Sequence, residues 1–200
     1  MNRQAVQTLK TYFGYDTFRE GQESVVESIL EHRDVLAIMP TGAGKSICYQ
    51  VPALMLSGIT IVISPLISLM QDQVKALNEA GIHAAFINSS LSESQISKAL
   101  YLAAGGRYKI IYVAPERLEN YEFLEFARQV EISMVTVDEA HCISQWGQDF
   151  TKLCQNRRLC KKSSRSSDRQ CFYRNCNRGS KERHSLYFKS GRSESSDHRV

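Results

Sequence analysis

The chain has 200 residues, 42% of them apolar and 23% charged, which suits one domain with a real core and is short for two. No apolar run approaches the ~20 residues that cross a bilayer; the opening stretch reads as no signal peptide, and six cysteines in such a chain read as free thiols rather than a disulfide framework. The net charge of +4 divides sharply: residues 1–150 carry 11 Lys/Arg against 17 Asp/Glu, whereas 151–200 carry 14 against 4 and ten serines.

Residues 4–13 read as a short amphipathic helix ending near Gly14, and a second helix runs to about His32. An apolar strand, Val35 to Met39, flows into Pro40-Thr41-Gly42-Ala43-Gly44-Lys45-Ser46 and then into a helix carrying Cys48, Tyr49, Val51 and Leu54. Ile59 to Ser64 is a β-branched run of buried-strand type, stopped by Pro65. Leu66 to Ala80 reads as a helix closed by Gly81, and Ile82 to Ile87 as a short strand. Ser92 caps a helix reaching about Ala104, Lys109 to Val113 is a strand, Pro115 to Gln129 a helix, and Ile132 to Val137 a strand. Strands alternating with helices of this length imply βαβ units and a parallel sheet covered on both faces. The expected fold class is therefore α/β, and ligands in that architecture bind at the carboxyl ends of the strands.

Two of those strand ends carry chemistry. In the turn from Thr41 to Ser46, backbone N–H groups can converge on one phosphate while the helix adds the positive end of its dipole. Lys45 can reach the β- and γ-phosphates, and the Ser46 hydroxyl can hold Mg²⁺. The usual P-loop pattern has glycine where Met39 stands. The bland alternative is a glycine turn without a ligand. The strand Ile132 to Val137 ends in Asp138-Glu139-Ala140-His141. An acidic pair there suits a Walker B site, Asp138 holding Mg²⁺ through water and Glu139 orienting and deprotonating an attacking water. Its bland alternative is an acidic surface turn.

Taken together these motifs resemble superfamily-2 helicases, and the residues around them narrow the match to the RecQ family of DNA helicases. FGYDTFREGQ (13–22) is similar to that family's adenine motif; the resemblance implies that Tyr15 stacks on the base, Gln22 hydrogen-bonds its edge and Arg19 assists. ISPLISLMQDQV (63–74) and YVAPERL (112–118) resemble its motifs Ia and Ib, which implies Ser64, Gln71 and Arg117 along a DNA path. Ala140 to Phe150, with the only tryptophan, resembles the aromatic-rich loop that couples DNA contact to ATP hydrolysis, implying DNA roles for His141, Gln145, Trp146 and Phe150. An unpaired base stacked on an indole is worth ~1–3 kcal/mol. The loop departs from the family at Gln148, where His is usual, and at Thr151-Lys152, where Arg-Pro is usual.

The resemblance implies a RecA-like P-loop domain over 1–150, with Thr41, Gly42, Ala43, Gly44, Lys45 and Ser46 on the phosphates and ATP and Mg²⁺ as cofactors. It implies 3′ to 5′ DNA unwinding in recombination and repair. The partners it implies are single-stranded, branched or duplex-end DNA and a single-strand-binding protein, with no membrane. The location it implies is the cytoplasm, at a bacterial nucleoid. A nucleotide-gated DNA-binding module without motor activity is the alternative from another class.

Beyond residue 150 the resemblance stops, and three readings compete: a basic disordered arm, a zinc site, and translation out of frame. Cys154, Cys160, Cys171 and Cys176 lack the paired C-x₂-C of ordinary zinc sites, so the zinc of the full-length family is not expected here. CFYRNCNRG (171–179) can be encoded TGC TTT TAC CGC AAC TGC AAC AGA GGT, which read one nucleotide later gives AFTATATE. The family's motif III is a Thr-Ala-Thr segment of this kind. The same shift lets 151–158 read RSYAKIA, the usual continuation of the aromatic loop. The expected domain division is thus a partial ATP-binding lobe over 1–150 and an irregular, out-of-frame tail over 151–200. The family's second RecA-like domain, with its arginine finger, is not expected in these residues, so the chain is expected not to unwind DNA.

Overall fold

The computed structural model describes residues 2–40 and 42–139 in full, and 170–175 and 185–189 as backbone strands. Helices α1 (Arg3–Phe13) and α2 (Gln22–Leu30) precede β1 (Asp34–Ile38), α3 (Lys45–Met55), β2 (Ile59–Ile63), α4 (Ile67–Glu79) and β3 (Ala84–Ile87). Then come α5 (Glu93–Ala104), β4 (Ile110–Val113), a 3₁₀ turn (Pro115–Arg117), α6 (Tyr121–Gln129), β5 (Ile132–Val137), β6 (Gln170–Asn175) and β7 (Ser185–Lys189). The strands form one sheet in the order β3-β4-β2-β5-β6-β1-β7. The pairs β3–β4, β4–β2 and β2–β5 are parallel, as the alternating pattern implies, and β7, in the stretch expected to be irregular, pairs in parallel with β1. Among the described residues no helix is long and apolar enough to cross a membrane.

Period-two alternation along strands buried on both sides separates two cores. Val62, Ile110, Tyr112 and Met134 pack toward α2, α3 and α4 with Ile29, Cys48, Tyr49, Met70 and Val74. Their neighbours Ile61, Ile63, Ile111, Val113, Val135 and Val137 pack toward α5 and α6 with Ile96, Leu100, Phe123 and Phe126. A smaller cluster of Ala5, Leu9, Val26 and Val51 docks α1 on α2 and α3.

Four boundaries differ from the expectation, each for a local reason. The helix expected over Pro115–Gln129 is a 3₁₀ turn followed by a separate α6, because Asn120 caps the latter by accepting the Glu122 N–H at 2.8 Å. The strand expected from Ile82 starts at Ala84, where the Asn78 side chain both accepts the Ala84 N–H and donates to its carbonyl. The second helix ends at Leu30, two residues before His32 turns left-handed (φ 61°). Finally, β6 lies antiparallel to both of its neighbours, β1 and β5. The expected irregular tail falls mainly outside the described residues.

The Ser92 cap is a full capping box: its hydroxyl accepts the Gln95 N–H at 3.3 Å while Gln95 Oε1 accepts the Ser92 N–H at 2.8 Å. Ser92→Ala is expected to lower unfolding free energy by about 1 kcal/mol. Urea titration of the two chains checks this, and an unchanged midpoint contradicts it.

Candidate nucleotide-binding site

β1 is carried straight into the loop by burial: Val35, Ala37 and Met39 are all in the core. Met39, where the usual pattern has glycine, needs no glycine here. Its backbone is not among the left-handed positions, and its sulfur lies 3.8 Å from the Cys48 thiol beneath the loop. The two glycines that follow do need their freedom, with φ of 81° at Gly42 and 74° at Gly44. Gly44 is the N-cap of α3 and has no side-chain cap, so the helix presents its N–H groups and positive dipole end to the loop.

The loop is braced from outside by the segment before α2. Gln22, 3% exposed, donates from Nε2 to the carbonyls of Ala43 at 2.9 Å and Gly44 at 3.1 Å. Its Oε1 accepts the Arg19 N–H at 2.9 Å, and Arg19 Nη1 donates to the Gly42 carbonyl at 2.8 Å. The carboxamide assigned to a base edge by resemblance is therefore engaged with the phosphate loop itself. A Cβ on Gly44 would come within 2.5 Å of Gln22 Nε2. Tyr15 is half exposed.

Asp138 and Glu139 leave β5 at the same edge. Backbone pairing fixes them: the Asp138 N–H donates to the Ile63 carbonyl at 2.8 Å, and Asp138 Oδ1 accepts the Glu139 N–H at 3.0 Å. Glu139 sits at φ 54°, an uncommon backbone state for a residue with a side chain, and both acids are 5% exposed. The link between the two loops is Tyr49 on α3. Burial, then the neighbouring Tyr112 and the charge of Asp138, push its phenol well above the usual range, while a hydrogen bond with Ser46 opposes the shift. This buried phenol, 3.1 Å from the Tyr112 hydroxyl, lies one helical turn past the loop on α3. Lys45, Ser46 and Asp138 belong to one edge of the sheet.

The model of the family described as DEAD/DEAH box helicase matches residues 19–172. The chain belongs to that family. It is 53% identical over 157 residues to the ATP-dependent DNA helicase RecQ of Bacillus subtilis, covering 78% of this chain and 27% of that protein. It is 47% identical over 146 residues to the RecQ of Haemophilus influenzae, covering 73% of this chain and 24% of that one. The chain therefore spans about a quarter of the length of these curated relatives. Among solved structures, a hypothetical ATP-dependent RNA helicase from Sulfolobus tokodaii shares the fold, with TM-score 0.60 over 78% of this chain and 47% of that chain, at 20% identity. The DUF1998 helicase MrfA, solved with DNA and AMPPNP, gives TM-score 0.62 over 78% of this chain and 24% of that chain, at 18% identity.

Membership of the DEAD/DEAH box helicases implies use of ATP and Mg²⁺, and the donor set fits. A hydroxyl (Ser46) and a buried carboxylate (Asp138) at one edge of the sheet make an oxygen-only set of the kind Mg²⁺ takes. Thr41 lies outside the described residues. So do His141, Gln145, Trp146 and Phe150, and, of the cysteines weighed for zinc, Cys154, Cys160 and Cys176; Cys171 is described as backbone in β6. Of the residues assigned to DNA, Gln71 is exposed on α4. Ser64 is 1% exposed, its hydroxyl making no hydrogen bond. Arg117 pairs with Glu93 at 3.5 Å, its side chain 19% exposed. Sequence reading missed Gln50 and Gln73, which bond each other across α3 and α4. The available signal was an amide in the middle of the otherwise apolar run Cys48 to Leu54.

Burial pushes the Cys48 thiol from 9.0 up to about 12. A raised value keeps the folded thiol protonated, so this group's contribution to stability is full below pH 9.0 and is lost toward pH 12. Iodoacetamide at pH 8 is expected to spare Cys48 in the native chain and label it after unfolding. Peptide mass spectrometry reads this, and rapid native labelling contradicts the burial.

Proposed function

We propose that these residues form the ATP-binding lobe of a RecQ-type DNA helicase, one that unwinds 3′ to 5′ in recombination and repair. The carrying observation is that β1 and β5 end at one edge of the sheet, the first leading into the loop with Lys45 and Ser46 and the second into the buried Asp138 and Glu139. In the proposed mechanism Tyr15 stacks on adenine, while Arg19 and Gln22 hold the loop in its binding shape from the adenine side. Thr41 to Ser46 cradle the phosphates through backbone N–H groups, and Lys45 neutralises their charge. When bound, Mg²⁺ screens the triphosphate. Glu139, beside it, takes the proton of the attacking water. The partners are DNA, read by Gln71, Arg117 and the loop bearing Trp146, and a single-strand-binding protein. The proposed location is the cytoplasm.

As these 200 residues, the polypeptide is proposed to bind nucleotide weakly and to displace no strand, because stepping needs two lobes closing on one nucleotide. Lys45→Ala is expected to weaken binding of a fluorescent ATP analogue about tenfold, the loss of one charge-assisted contact. An unchanged affinity would remove the nucleotide-site reading, and ATP-driven displacement by the 200-residue chain would remove the inactivity. The rival, a nucleotide-gated DNA-binding module, draws on the surplus of ten positive charges in 151–200. It predicts that deleting 151–200 abolishes salt-dependent DNA affinity.

We further infer that 151–200 is read out of frame. The support is twofold: a shifted reading of 171–178 can encode AFTATATE with permitted codons, and β6, which overlaps it, runs antiparallel between two strands that each pair in parallel with their other neighbour. Parallel neighbours joined by helical crossovers suit a parallel strand in that slot. Sequencing the coding DNA decides the matter. No Thr-Ala-Thr segment in any frame beyond codon 150 would end the idea.

A further inference from the structure

Behind the phosphate loop lies a hydrogen-bonded chain that the mechanism above does not use. Tyr49 and Tyr112 hydroxyls are 3.1 Å apart. Gln50 Nε2 donates to the Tyr112 hydroxyl at 3.2 Å and to Gln73 Oε1 at 2.9 Å. Both tyrosines and Gln50 are at most 4% exposed, whereas Gln73 is half-buried on α4. The chain therefore starts at Tyr49 on α3, three residues after Ser46, crosses the core to β4, and ends on α4, two residues from the exposed Gln71. β4 in turn leads into the 3₁₀ turn that carries Arg117.

Such a chain is costly in an apolar core unless every member is satisfied. Ile or Phe would fill the same volume at the tyrosine positions with no polar atoms to satisfy. Its hydroxyl pair also has two directions, since either oxygen can be the donor. Gln50 uses both amide hydrogens, one on each partner, so it holds Tyr112 and Gln73 in a fixed relation. The result is a contiguous hydrogen-bonded path from the first turn of α3 to α4, the kind of physical network over which coupling between sites runs.

We propose that Tyr49, Tyr112, Gln50 and Gln73 are positioning residues that tie α4 to the phosphate-loop end of α3, so that filling the loop with a nucleoside triphosphate changes the affinity of the α4 edge for a single nucleic-acid strand. The proposal rests on the reading of the loop as a nucleotide site and on α4 as part of the strand path. It adds the connection between them.

The test uses the 200-residue chain and a fluorescent single-stranded oligonucleotide, titrated with and without a non-hydrolysable ATP analogue and Mg²⁺. The ratio of the two dissociation constants is the coupling, expected to be about fivefold or more in the unaltered chain. Gln73→Met removes the acceptor at a half-exposed position and is expected to bring the ratio to within about twofold of one, with analogue affinity in the absence of oligonucleotide unchanged. Gln73→Glu keeps an acceptor oxygen and is expected to retain the coupling. Tyr49→Phe is likewise expected to bring the ratio to within about twofold of one, with analogue affinity read only from the Gln73 variants. If Tyr49→Phe fails to fold, as judged by its melting curve, the Gln73 pair decides alone. Full coupling in Gln73→Met, equal loss in Gln73→Glu, or a ratio of one in the unaltered chain overturns the connection. Lys45→Ala separates the two ideas: analogue affinity unaffected by that change overturns the nucleotide site itself, whereas a sensitive Lys45 with an insensitive Gln73 overturns only the link.

Discussion

The phosphate loop keeps its shape because of one carboxamide. A loop with two left-handed glycines has little intrinsic preference for a single conformation, and glycine loses more freedom on ordering than any other residue. Gln22 opposes that loss by donating to two successive loop carbonyls while its own oxygen is held by the Arg19 backbone. Because Gln22 is itself fixed in the first turn of α2, and α2 packs through Val25 and Ile29 into the main core, the loop is referenced to the body of the sheet. An adenine contact made by the same segment would be transmitted directly to the phosphate-binding backbone.

The second constraint is electrostatic. Two carboxylates at 5% exposure on adjacent residues repel each other and lose hydration, a combination proteins tolerate where a cation or a reaction requires it. Glu139 also occupies the left-handed region, and strain of order 1–3 kcal/mol in such a place goes with functional sites. The sheet overrides these penalties locally: the Asp138 N–H continues the β2–β5 ladder one residue past the strand, so the acids are held where the ladder ends. Unpaired hydroxyls at Ser64 and Thr136 lie at or beside the same strand ends.

The slot between β1 and β5 is where local and global order conflict. Those strands carry the two halves of the site, so the strand between them fixes the separation of the loop from the acids. In this chain the slot holds β6, antiparallel to both neighbours. Backbone hydrogen bonding tolerates either direction, which is why a segment with β-forming Cys171, Phe172 and Tyr173 can pair there. Direction nevertheless decides where the connection leaves the sheet and which end of the strand faces the ligand edge.

The α/β class, the five strands from β1 to β5 and the capped α5 were legible in the sequence, as was the placing of Lys45, Ser46, Asp138 and Glu139 just beyond strand ends. These are local properties: apolar runs of strand length, a serine three residues before a glutamine, glycines before a lysine, acids after a buried strand. The split of Pro115–Gln129 was not legible, since a capping asparagine competes with a continuous helical pattern and only the observed N–H direction chooses. Nor could the sequence show that Gln22 faces the loop, that Met39 needs no glycine because it packs on Cys48, or that Tyr49, Gln50, Tyr112 and Gln73 meet. Those partners lie 9 to 63 residues apart, and only packing the helices against the twisted sheet brings such separations to hydrogen-bond distance.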